Sequence, residues 1–132
     1  MQNEVVAHFM DGRIVKGTSL DVAPAKPSCH IRTQDGVLEV ALDDLKALYY
    51  VKDLVGDPDR VDVQEAREGD PRLRGSRLVE IVFQDGERLV VLSNRFPPKG
   101  DRFFVLPIDS ESNNERILIN HAATVSIAEI AD

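Results

Sequence analysis

Three histidines and a single cysteine are the residues of this 132-residue chain best suited to metal or nucleophile chemistry, and their spacing assembles neither. His8, His30 and His121 lie far apart, and none begins the spacing of a zinc protease or a metal finger. Cys29 and His30 are neighbours on a predicted strand, so their side chains point to opposite faces and cannot pair as nucleophile and base. One cysteine also excludes an intramolecular disulfide and an all-cysteine zinc site within the chain. No glycine-rich phosphate loop and no nucleophile elbow is present. The adjacent carboxylates of Asp43-Asp44 suit a helix start, and Asp57 and Asp59 a solvated linker. The chain is therefore expected to be no enzyme, with no catalytic, metal-binding or cofactor-binding residues. His8, on the strand face opposite Phe9, is expected at the surface, and Cys29 as a small buried or half-buried filler.

The residues suited to recognition are aromatic and cationic. Tyr49-Tyr50 and Phe103-Phe104 are doublets on predicted strands, so each sends one ring to either side of its sheet. One ring should enter its own core. The other is covered elsewhere in the chain, covered by a partner or left exposed, and burial between two halves of the chain is the favoured outcome. Phe96 sits in the loop Arg95-Phe96-Pro97-Pro98-Lys99-Gly100 and either anchors a partner or folds back as a lid. Tyr49, Tyr50, Phe96, Phe103 and Phe104 are thus the candidate partner contacts. In Ser112-Asn113-Asn114-Glu115-Arg116 the asparagines suit a tight turn, and Arg116 could hold an anion. Arg72, Arg74 and Arg77, with Arg67 nearby, form a basic stretch in an acidic chain; with Arg116 they are the candidate anion contacts.

Composition narrows the class. Hydrophobic residues make up 42% and charged residues 30%, enough apolar content for a core, and the net charge is −7. Residues 1–66 carry 7 basic and 12 acidic side chains, and residues 67–132 carry 9 and 11, so the acidity belongs mainly to the first half. That balance argues against nucleic acid as a partner. No apolar run approaches the ~20 residues of a membrane span. The opening Met1-Gln2-Asn3-Glu4 lacks a basic start and an apolar signal core, which leads to the expectation of a cytoplasmic protein.

Strand signals dominate the elements that must position these residues. Asp11-Gly12, Asp35-Gly36 and Asp85-Gly86 each mark a tight hairpin turn. Val79, Ile81 and Phe83 alternate with polar residues at the period of a half-buried strand. The chain also repeats itself. Phe9-Met10-Asp11-Gly12 matches Phe83-Gln84-Asp85-Gly86 at a shift of 74, which also carries Val5 onto Val79, Ser19 onto Ser93 and Ile31 onto Val105. Beyond that the register moves by three, pairing Val40 with Ile117, Leu42 with Ile119 and Leu48 with Val125. Each half reads as five strands. They lie near Glu4–Met10, Arg13–Asp21, Ser28–Thr33, Val37–Leu42 and Ala47–Asp53, then Leu78–Gln84, Glu87–Asn94, Arg102–Leu106, Glu115–Asn120 and Thr124–Ile130. A short turn, Asp43–Lys46 or His121–Ala123, precedes the last strand of each.

The predicted fold is all-β: two tandem five-stranded SH3-like or Sm-like barrel units, related by internal duplication and packed together. Residues 1–54 form the first unit, 55–77 a charged linker containing glycine and proline, and 78–132 the second. Val61 and Val63 could add a brief strand. A half of about 50 residues supplies a core of only about 3–5 kcal/mol, which predicts that the halves stabilise one another.

The run Leu78–Glu87, with Arg102–Asp109 and Ser112–Ile117, resembles a small bacterial β-domain of uncharacterised function, a likeness that implies a regulatory protein of the bacterial cytoplasm and transfers no catalytic residue. Asp11-Gly12-Arg13-Ile14-Val15-Lys16-Gly17-Thr18 resembles the opening motif of Sm-like proteins, whose rings bind RNA; the second half departs from it, with Val91 in place of Gly17. PilZ-class cyclic-di-GMP receptors are also small bacterial barrels, but no two arginines here are four apart, so their phosphate-gripping pair is missing. The expected role is a non-enzymatic binding or regulatory module that contacts protein, with a homodimer plausible through unpaired strand edges. The alternative is an Sm-like RNA-binding barrel or one that binds a nucleotide or small anion.

Overall fold

The computed structural model describes residues 3–57 and 59–130. Ten strands follow one another: β1 (Asn3–Phe9), β2 (Ile14–Ser19), β3 (Ser28–Thr33), β4 (Gly36–Ala41), β5 (Leu45–Val51), β6 (Arg77–Phe83), β7 (Arg88–Ser93), β8 (Arg102–Pro107), β9 (Asn114–Asn120) and β10 (Thr124–Glu129). All pair antiparallel in one open sheet of order β10-β6-β7-β8-β9-β5-β1-β2-β3-β4. The predicted hairpin turns are present, with positive φ at Gly12 (95°), Gly36 (127°) and Gly86 (92°), where any residue with a Cβ is disfavoured. Single 3-10 turns at Leu42–Asp44 and His121–Ala123 precede β5 and β10.

The two halves share strand order and register. Val5↔Gly17 in β1–β2 corresponds to Val79↔Val91 in β6–β7, and Thr18↔Arg32 to Leu92↔Leu106, all at the shift of 74. After the third strand the shift is five residues greater, not three. Ser28↔Ala41 corresponds to Arg102↔Asn120, which sets Val40 against Ile119 and Leu48 against Ile127. The chain between β8 and β9 absorbs the difference, because a surface loop can lengthen without disturbing the ladders on either side.

The halves meet edge to edge. β5 of the first pairs with β9 of the second through Ala47↔Ile119, Leu48↔Leu118, Tyr49↔Ile117 and Tyr50↔Arg116. Because neighbouring residues face opposite ways, β5 serves two cores. Leu48 and Tyr50 enter the first with Val5, Ala7, Phe9 and Ile31, together with Leu118 of the second half. Ala47, Tyr49 and Val51 enter the other with Val79, Ile81, Phe83 and Ile119. Polar locks flank this seam. Lys46 binds Asp85 at 2.7 Å and Glu87, while Arg102 binds Asp43 at 2.7 Å and the carbonyls of Pro24 and Lys26.

The segment between the halves is a strap. Ala66 and Leu73 lie over Val90, Leu92 and Ile108 on the outer face of the second half. Positions equivalent to Val90 and Leu92 in the first half are Lys16 and Thr18, so at these positions the second half is apolar and needs a cover where the first is polar. Val61 and Val63 add no strand; Val63 instead donates its N–H to the buried Asp109 carboxylate at 2.9 Å. The same carboxylate accepts from Arg60 at 2.6 Å and from the Glu111 N–H at 3.0 Å. Burial alone pushes this carboxyl up, but those three donors outweigh it and hold it below the ordinary range.

Candidate interaction surface

The two ends of the sheet differ. β10 is bulged between Thr124 and Ser126, which throws Val125 outward, and its Glu129 is tied to Arg77 at 3.0 Å. Bulges and charges blunt an edge against further pairing. β4 carries no bulge. It runs in unbroken register with β3 from Ser28↔Ala41 to Thr33↔Gly36, and among the described residues no strand pairs with its outer side. Val37 is 55% exposed and Leu38 47%, with Leu20 nearby at 67%, so the open ladder lies among accessible apolar side chains. Val37 shares the outer face with Arg32, whereas Leu38 lies opposite Ile31 on the core face.

Beside this edge, Thr18, Ser19, Leu20, Asp21, His30, Arg32 and Val37 line a shallow groove of about 200 Å³. Asp21 organises it, accepting from the His30 N–H at 2.9 Å and the Ser19 hydroxyl at 3.1 Å, while its second oxygen lies 2.6 Å from His30 Nδ1. The His30 backbone N–H, then its ring and Ser19, hold the Asp21 carboxyl down at about 2. His30 is raised in return, and its Nε2 lies 3.5 Å from Glu39. Serine, aspartate and histidine meet here, but the hydroxyl donates to the carboxylate and not to the imidazole, so they are not ordered as a serine–histidine–aspartate relay.

The other histidines sit elsewhere. His8 is not at the surface as expected: it is half-buried against the Tyr49 ring at 4.6 Å, because the strand face opposite Phe9 is covered at the seam. Burial lowers its pKa, against a weaker pull from Glu87. His30 should therefore titrate above 6.5 and His8 below it; imidazole NMR titration checks the order, and the reverse order would refute this geometry. The raised His30 favours the folded state most at acidic pH, and that contribution is lost as pH rises through its folded pKa. Cys29 is buried, and burial, with Asp21 adding to it, pushes its thiol up to about 11. Among the described residues no group of three or more His, Cys, Asp or Glu side chains is placed to hold a metal ion.

Tyr49, Tyr50 and Phe103 are buried in the cores on either side of the seam. Phe104 packs against the first core and meets Tyr50 edge-on at 5.8 Å. Phe96 folds back against the core of the second half. Arg116 lies over Tyr50 at 4.1 Å and Phe104 at 4.6 Å, a cation held on two rings at the seam. Arg72 binds Asp70 at 2.8 Å and the carbonyls of Pro107 and Ile108, fastening the strap, while Arg74 is exposed. The four arginines are not gathered at one site. Sequence reasoning missed Arg32, Val37, Leu38 and Glu39 as a surface, since nothing local distinguishes an edge strand from a paired one.

The profile of a family of unknown function, DUF6982, matches residues 1–131. The chain belongs to DUF6982. No curated protein and no solved structure matches it. The match runs over both halves of the chain, in line with the resemblance of the second half to an uncharacterised β-domain. No helix among its described residues is long and apolar enough to cross a membrane.

Proposed function

We propose that this DUF6982 chain is a non-enzymatic binding or regulatory module of the bacterial cytoplasm, made of two related barrel-like units that arose by duplication, and that it contacts protein through β4. The shared register of the halves supports the duplication. The observation that carries the binding role is the unbulged outer edge of β4, unpaired among the described residues, beside exposed Val37 and Leu38. An extended segment of a partner that adds to such an edge gains backbone hydrogen bonds for affinity and side-chain contacts for specificity. The acidity of the first half disfavours a polyanion as the occupant. A photo-crosslinking amino acid at Leu38, used in bacterial cells, is expected to yield protein adducts. The same probe at Leu106, which is 41% exposed on an internal strand, should yield few. Equal yields at the two positions would overturn the reading.

A further inference from the structure

Resting on that reading of β4, we propose that the edge pairs with β4 of a second copy of this chain, antiparallel, about a two-fold axis through Leu38. A strand that meets its own copy must keep each face matched, and a slip of one residue would set core-face residues against outer-face ones. Three of the face-matched registers centre on the exposed run Val37-Leu38-Glu39. With Glu39 on the axis, two carboxylates oppose each other; with Val37 on the axis, Glu39 opposes Asp35 of the partner subunit. Both place like charges directly across the pair, which is destabilising. Leu38 on the axis sets Leu38 against its own symmetry mate and Val37 against Glu39 of the partner subunit.

That register also answers an unmet charge. Arg32 is exposed on the outer face beside Val37 and has no ion-pair partner among the described residues. In the proposed dimer Arg32, Val37 and the partner's Glu39 form one row across three strands. Two strand spacings, roughly 10 Å, separate the ends of the row, and an arginine and a glutamate can bridge that span over a small valine. The two-fold produces the pair twice, and the two sheets become one continuous sheet closed by symmetry.

The rival self-association is head-to-tail, with β4 on β10 in the manner of the seam. The seam's locks have no counterpart there. Glu39 stands where Leu118 enters the neighbouring core, Val37 where Arg116 covers the rings, Val125 where Lys46 binds its carboxylates, and Glu129 where Tyr50 is buried.

Light scattering on the purified full chain across a concentration series decides the matter. The expected mass is twice 14.7 kDa. Arg32→Glu and Glu39→Arg should each weaken association about tenfold or more, and the double variant R32E/E39R should restore it, because the pair is rebuilt with its charges exchanged. Circular dichroism confirms that each variant remains folded. A monomer at all concentrations, open-ended growth in mass, or single variants that dimerise like the parent would each overturn the proposal. A monomer that still gives adducts at Leu38 sinks the homodimer and leaves the protein-binding reading standing; equal adduct yields at Leu38 and Leu106 sink that reading on their own.

Discussion

Replacing Gly17 by alanine is expected to destabilise the protein by about 3 kcal/mol, since overpacking that cannot relax lies at the upper end of its usual range. A Cβ at this position would stand 2.2 Å from the Arg32 carbonyl oxygen, 2.7 Å from Ile31 Cγ2 and 2.9 Å from the Arg32 carbonyl carbon. The obstacle is mostly backbone. β3 cannot retreat without giving up the Thr18↔Arg32 pairing that joins it to β2, and Ile31 cannot retreat without leaving the first core. Gly75→Ala is the matched control: it has open space and a φ of −115°, and should change stability by no more than about 0.5 kcal/mol. Urea denaturation followed by circular dichroism compares the two. Equal midpoints would mean that β2 and β3 do not approach as closely as described.

Leu118→Ala is expected to cost about 3 kcal/mol, as for other fully buried leucines. Its distinguishing feature is where the loss is felt. Leu118 belongs to the second half by sequence, yet it is 3% exposed within the core of the first, opposite Leu48. If the seam joins the halves into one cooperative unit, the variant melts in a single transition displaced as a whole. Protease sensitivity in both halves should then rise together. Two separated transitions, with the second half melting as in the parent, would show that the halves fold independently.

Much of the fold is legible in local residue order. Asp-Gly pairs mark the hairpin turns because glycine alone relieves the steric cost of positive φ. Alternation such as Val79-Glu80-Ile81 marks strands because successive side chains face opposite ways. The doublet Tyr49-Tyr50 implies one ring on each side of its strand but leaves open what covers the second; the two cores on either side of β5 receive them. The later part of the repeat does not fix its own register. Apolar residues recur so often in β9 and β10 that a three-residue offset satisfies the pattern as well as the observed five; pairing register separates them.

The strap eluded a local reading for a related reason. Gly56-Asp57-Pro58-Asp59 and Gly69-Asp70-Pro71 have the composition of a solvated linker. The strap's order comes instead from groups distant in sequence: the Asp109 carboxylate, the Gln64 amide on the Val90 N–H and the apolar outer face of β7. Strand propensity, turn position and side-chain alternation concern residues a few positions apart, so the chain alone dictates them. Which strands pair across the halves, which edge stays open and which charge goes unanswered depend on contacts between residues tens of positions apart. Only the assembled sheet settles those, because antiparallel ladders form between any two strands whose faces and ends match. Here β5 meets β9, and among the described residues the outer side of β4 is left without a partner beside Arg32.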